Sequence, residues 1–140
     1  MSGKVCFVDT SAWAAVADKR DEAHEEASRC FYQLRDSGTL LLTSQFVFAE
    51  SMILIRRRVS IDSAIDWGET IWASGQVQVV DAPLDIHKRA WSIFKKYKDW
   101  ELSYVDCLSF ATMDKLRIKK VFAFDEDFAN YGFTVVPGIR

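Results

Sequence analysis

Apolar and polar positions along the chain follow two rhythms. Residues 4–8 (KVCFV) are a short apolar run of strand-forming residues that stops at Asp9, and they read as a buried strand. Residues 39–43 (TLLLT) are a second buried strand, and 76–80 (QVQVV), 120–124 (KVFAF) and 133–136 (FTVV) read as three further strands. Helical spacing fills the intervals. Thr10 and Ser11 offer hydroxyls to cap a short helix over 12–17. Ala23, Ala27, Phe31 and Leu34 share one face of a helix over about 22–36, which Gly38 stops. Ser44 opens a helix that runs to Arg57 or Arg58. Ser60 caps the next, with Ile61, Ala64, Ile65, Gly68, Ile71 and Trp72 on one face and Gly75 at its end. Pro83 suits the first turn of a helix whose apolar stripe is Ile86, Ala90, Ile93, Phe94 and Tyr97. Ser103 caps a helix to about Leu116, and a short helical turn follows Asp125.

Strands alternate with helices from one end to the other. That order predicts an α/β fold, a three-layer α/β/α sandwich around a parallel sheet of about five strands. No linker, repeat or low-complexity segment interrupts it, so residues 1–140 are expected to form one domain.

Composition adds limits. Apolar residues are 49% of the chain, enough for a core without disulfides. Cys6, Cys30 and Cys107 match neither a disulfide framework nor a zinc site and read as reduced core thiols, which points to the cytoplasm. No apolar run approaches a membrane span, and the N-terminus is not a signal peptide. The five tryptophans are enough to furnish a homodimer face. The net charge of -2 announces no global basic field, so any nucleic-acid binding would depend on local charge.

In open parallel sheets, sites form beyond the carboxyl ends of strands, where the strand order reverses. Asp9 and Asp125 both stand at such ends. Asp9 could simply cap the helix after it, or bind a hard cation beside two hydroxyls. Glu50 lies in Phe46–Ile55, a stretch so apolar that a helix buried nearly all round is expected. A buried glutamate needs a positive partner, either one of Arg56, Arg57 and Arg58 or a cation shared with other carboxylates. Asp106 is the fourth residue of Ser103-Tyr104-Val105-Asp106, a capping arrangement compatible with metal binding. Asp125 is favoured over Asp127 because it sits at the strand end. If these carboxylates converge, their repulsion raises their proton affinities unless a cation neutralises them.

Taken together, Val8-Asp9-Thr10-Ser11-Ala12-Trp13, Glu50 before the arginine run, Leu102-Ser103-Tyr104-Val105-Asp106 and Val121-Phe122-Ala123-Phe124-Asp125-Glu126-Asp127-Phe128 resemble the PIN domain. At this length the chain is most similar to the VapC type, the toxins of type II toxin–antitoxin pairs. The resemblance implies an endoribonuclease dependent on Mg2+ or Mn2+. Asp9 and Asp106 would be principal metal ligands, Glu50 and Asp125 would complete the acidic site, and Thr10, Ser11 and Ser103 would support it. The family often places Thr two residues before its last acidic position. Ala123 stands there, which removes one expected hydrogen bond to Asp125. The implied partners are RNA and a small antitoxin that blocks the site with a basic or bulky segment.

RNA contacts are sought among Arg56–Arg58, Lys95, Lys96 and Lys98, and Lys115, Arg117, Lys119 and Lys120. His24 and His87 read as solvated surface residues. Two other classes compete. One is a catalytically silent PIN-like module. The other is an aspartate-based phosphatase or phosphoacceptor with Asp9 as nucleophile, although position 11 is Ser where a phosphatase of that kind would want a second Asp.

Overall fold

The computed structural model describes residues 4–138. Five strands, β1 (Val5–Val8), β2 (Leu40–Ser44), β3 (Val77–Val80), β4 (Lys120–Phe122) and β5 (Thr134–Val136), form one parallel sheet in the order β3-β2-β1-β4-β5. The helices are α1 (Thr10–Ala17), α2 (His24–Asp36), α3 (Gln45–Arg58), α4 (Ile61–Ala73), α5 (Leu84–Lys96), α6 (Tyr104–Leu116) and α7 (Asp127–Tyr131). A single 3-10 turn at Lys98–Trp100 lies between α5 and α6.

The layers follow from chirality. From β1 the chain steps outward to β2 and β3, and right-handed crossovers place α1 to α4 on one face. It then crosses back to β4 and continues to β5, which reverses direction and sends α5, α6 and α7 to the other face. The contacts agree: α1 packs on α2 and α3, α3 on α4, and α5 on α6. Phe110 of α6 stacks on Tyr131 of α7 with ring centroids 4.5 Å apart. The expected sandwich is therefore the observed one. Its strand order reverses between β1 and β4, whose ends deliver Asp9 and Asp125.

The core begins at the central strands. Cys6, Phe7, Val8, Val121 and Phe122 are fully buried. Trp13 is wedged beneath α4, edge-on to Trp67 at 5.6 Å. Its indole N–H donates to Thr43 Oγ1, and that hydroxyl donates to the Val8 carbonyl at 3.0 Å. This relay ties β2 to β1 one residue before Asp9. Gly68 gives α4 its close approach to α3, because an added Cβ would meet the Met52 side chain at 3.0 Å.

Three local expectations change. The strand expected over 120–124 ends at Phe122, so Asp125 stands three residues beyond it, past the irregular Ala123-Phe124 segment. Asp9, not Thr10 or Ser11, is the N-cap of α1, and its carboxylate accepts from the Ser11 backbone N–H. Helix α3 is not buried all round. Only Val47, Ser51 and Ile55 are fully covered, at four-residue spacing, while Ala49 and Ile53 face outward. The helix has one buried stripe and an uncovered apolar back.

Candidate active site

The sheet end at the β1/β4 reversal gathers carboxylates from four segments. Asp9 leaves β1 with its backbone N–H bonded to the Phe122 carbonyl of β4 at 3.0 Å. Its side chain is 4% exposed. Ser11 Oγ donates to Asp9 Oδ2 at 2.7 Å, and the same oxygen accepts from the Phe124 N–H at 3.0 Å. One hydroxyl thus links the acid after β1 to the backbone just before Asp125. Burial pushes the Asp9 carboxyl up to about 6, and the nearby Asp125 charge adds to the rise, against the lowering effect of the Ser11 hydrogen bonds.

Asp106 sits on the first turn of α6 in a complete capping box. Its backbone N–H donates to Ser103 Oγ at 3.0 Å, and its Oδ2 accepts from the Ser103 N–H at 3.1 Å. Burial, followed by the charge of Asp9, pushes its carboxyl up to about 7. Capping leaves the carboxylate partly exposed toward the other acids. Asp125 Oδ1 accepts from the Asp127 N–H at 2.9 Å, and its pKa is raised by burial and by the Asp127 and Glu126 charges.

Carboxylate oxygens of Asp106, Asp125 and Asp127 lie within 4.8 Å of one another. This is the tightest grouping of acids among the described residues, and it contains Asp127, which strand position alone ranked below Asp125. Asp9 lies outside that trio, deeper in the fold, yet its charge acts on Asp106. Oxygen donors in such numbers, with raised proton affinities, could hold a divalent cation.

Glu50 meets the site from α3. Thr10 Oγ1 donates to Glu50 Oε1 at 2.5 Å, which brings the glutamate beside the residue that follows Asp9. It is only half-buried and makes no salt bridge among the described residues. Of the two alternatives, the arginine partner is not found among the described residues, and a half-buried carboxylate keeps part of its hydration without one. Arg58 instead pairs with Asp21 at 3.6 Å. The place of the missing Thr is confirmed: Ala123 is buried and donates nothing from its side chain, and Ser11 and the Asp127 N–H hold this segment instead.

The histidines are not simply solvated. His24 Nδ1 is 2.8 Å from the Ala15 carbonyl, and His87 packs in an aromatic cluster with Phe46 and Tyr104. Of the basic groups, Lys115 is paired with Asp85, and Lys120 opens β4, so it lies at the sheet end opposite the acids.

A cluster of acids at the reversal point of a five-stranded parallel sheet defines an α/β domain with an acidic site. The PIN domain family matches residues 6–134, and the chain belongs to that family. It is similar to the 23S rRNA-specific endonuclease VapC20 of Mycobacterium tuberculosis, with 35% identity over 130 residues covering 93% of this chain and 96% of that protein. It is also similar to Ribonuclease VapC26 of the same organism, 25% identical over 138 residues that cover 94% and 99% of the two chains. The crystal structure of M. tuberculosis VapC20, described as a sarcin–ricin loop cleaving toxin, superimposes with a TM-score of 0.84 at 33% identity, covering 93% of this chain and 96% of that one.

Proposed function

We propose that this chain is a divalent-metal-dependent endoribonuclease, the toxin of a toxin–antitoxin pair. The observation that carries the reading is the convergence of Asp106, Asp125 and Asp127 beside the buried Asp9. These four are the proposed oxygen donors for Mg2+ or Mn2+, with Asp9 and Asp106 as principal ligands and Glu50 completing the acidic set through Thr10. A cation bound there supplies Lewis acidity, lowering the pKa of water and balancing charge on a phosphodiester.

The chain's own groups do the positioning. Ser11 fixes the Asp9 carboxylate, Ser103 fixes Asp106, and the Asp127 N–H fixes Asp125. Held by separate donors, Asp106, Asp125 and Asp127 keep carboxylate oxygens within 4.8 Å of one another, with Asp9 buried beside them. A water between them finds carboxylate acceptors for the proton it gives up as it attacks phosphorus. Asp9 as a covalent nucleophile is disfavoured, because the carboxylate is buried and its Oδ2 is held by the Ser11 hydroxyl and N–H at the start of α1.

RNA is the proposed substrate. The sarcin–ricin loop named for VapC20 is the first sequence to try. A small antitoxin and a second copy of the chain are the proposed protein partners. The acidic pocket suits a basic inserted segment, and exposed Ile53, Ile65 and Trp72 on α3 and α4 offer apolar surface to a partner. Three free, buried cysteines fit action in the cytoplasm. No helix among the described residues is long and apolar enough to cross a membrane. The test is incubation of total RNA with the protein and Mg2+ or Mn2+, beside an Asp9→Asn control, with the new ends mapped. Discrete ends that vanish in the control support the reading, and intact RNA in both overturns it.

A further inference from the structure

One exposed face of α5 carries aromatic and basic residues in alternation. His87, Lys88, Trp91, Phe94 and Lys95 recur at three- and four-residue spacing, so they share one side of the helix. Trp91 is 53% exposed and Phe94 is 38% exposed, which is unusual for large rings without a partner. They are not loose. Tyr104 lies against both, with ring centroids 6.4 Å from Trp91 and 5.9 Å from Phe94. The Tyr104 hydroxyl donates to the His87 carbonyl at 3.2 Å and lies 3.2 Å from His87 Nδ1. Phe46, two residues past the end of β2, closes the cluster edge-on to His87 at 5.3 Å.

Position and charge single out an occupant. Phe46 and Glu50 are four residues apart on α3 and share one face, so the aromatic cluster lies one helical turn from the acidic set. Helix α5 bears Lys88, Arg89, Lys95 and Lys96 against one carboxylate, Asp85, and that carboxylate is already taken by Lys115. Rings that offer flat faces, interleaved with cations that track a phosphate backbone, form the surface that single-stranded nucleic acid requires. A second copy of the chain would bring like charges together across the same face, which disfavours it as occupant.

We infer that this face of α5 is a stacking track for single-stranded RNA, with Trp91 receiving a base and Lys88 and Lys95 receiving flanking phosphates, and that it leads the strand past Phe46 toward Glu50. The inference rests on the nuclease reading and adds where the strand outside the scissile bond is held.

The experiment measures binding of a fluorescein-labelled single-stranded RNA decamer to the full chain by anisotropy, with divalent ions chelated so that the probe stays whole. Light scattering gives the mass of each variant. Trp91→Ala should weaken binding roughly tenfold at unchanged mass, and Trp91→Tyr should recover most of it, because the value lies in a π-face. Lys88→Ala combined with Lys95→Ala should flatten the slope of log affinity against log salt by about 1.4, the expectation for two lost phosphate contacts on a single strand. These lysines are exposed, so this variant tests the track independently of any packing loss at Trp91. Unchanged affinity and slope in both variants overturn the inference. A fall in mass for Trp91→Ala, with or without a change in affinity, assigns the face to a second copy and also overturns it. Failure of the nuclease reading shows separately, as absence of RNA cleavage by the unaltered chain with Mg2+ or Mn2+ supplied.

Discussion

Ser11 Oγ donates to the Asp9 carboxylate at 2.7 Å while accepting from the Phe124 backbone N–H at 3.0 Å. A single hydroxyl therefore sets both the rotamer of the most buried acid and the path of the chain into Asp125. Ser11→Ala removes a donor that lowers the Asp9 pKa, so the carboxyl should titrate higher than in the unaltered chain. The measured outcome should be weaker Mn2+ binding and a pH–rate profile whose acid limb moves to higher pH. An unmoved acid limb would remove Ser11 from the account.

The raised acids link pH to stability. Asp9 rises from 3.8 to about 6 and Asp106 from 3.8 to about 7. The metal-free folded chain thus holds more protons than the unfolded chain between about pH 4 and 7. Stability should fall as pH rises through that window and level off above it. Metal affinity runs the other way, because binding displaces those protons, and it should climb until about pH 7. Thermal melts in chelator across this range, and Mn2+ titrations at each pH, check both slopes. Parallel slopes of the same sign would contradict the linkage.

Asp9→Asn should stabilise the metal-free protein at pH 7.5 while abolishing cleavage. Asn keeps the ability to cap α1, so the helix start survives. What disappears is a buried charge. The rise of its pKa from 3.8 to about 6 corresponds to an order-of-magnitude gain of roughly 3 kcal/mol. Denaturant unfolding in chelator measures it, and a destabilised variant would mean that the Asp9 charge is met by a partner within the fold.

Glu50 is the member whose place in the chemistry rests on one contact. Thr10→Val deletes the donor to Glu50 Oε1 at nearly constant volume. The cost to stability should be small, about 1 kcal/mol. If Glu50 serves the site through this bond, cleavage should slow by roughly tenfold, and Glu50→Gln should do the same or more, by the range seen for lost positioned acids and bases. Full activity in both variants would leave Glu50 as a surface residue of α3.

The indole of Trp13 donates to Thr43, and Thr43 donates to Val8. Thr43→Val strands the indole N–H and frees a strand carbonyl in the core. Stability should drop by about 1–3 kcal/mol, the penalty of unsatisfied buried polar groups. Equilibrium unfolding in urea provides the value, and a neutral effect would show that the relay carries no weight.

Much of this was legible because the apolar runs end on acids. KVCFV before Asp9 announces a buried strand and its exit together, and KVFAF announces β4, which stops at Phe122 before its apolar run does. Ser44, Ser60 and Ser103 announce helix starts, and all three are the observed caps. The order β3-β2-β1-β4-β5 was not legible, since it depends on which strands pair across more than a hundred residues. Asp127 was underrated for the same reason: its nearness to Asp106 is a tertiary fact with no local trace. Glu50 misled in the other direction. Apolar residues on every side of α3 imply burial on every side only if something covers each side, and here Ala49 and Ile53 are uncovered. The second bond of Ser11, to the Phe124 N–H, spans 113 residues and has no signature in either segment.

The central claim, that these carboxylates jointly hold the cation on which RNA cleavage depends, is tested most directly by Mn2+ binding followed by electron paramagnetic resonance, with RNA cleavage read in the same samples. The unaltered chain should bind Mn2+ and cut RNA. Asp106→Asn and Asp125→Asn should each weaken binding by tenfold or more, with cleavage falling in step. Mn2+ affinity that stays unchanged in both variants, or cleavage that persists at full rate in chelator, would contradict the account.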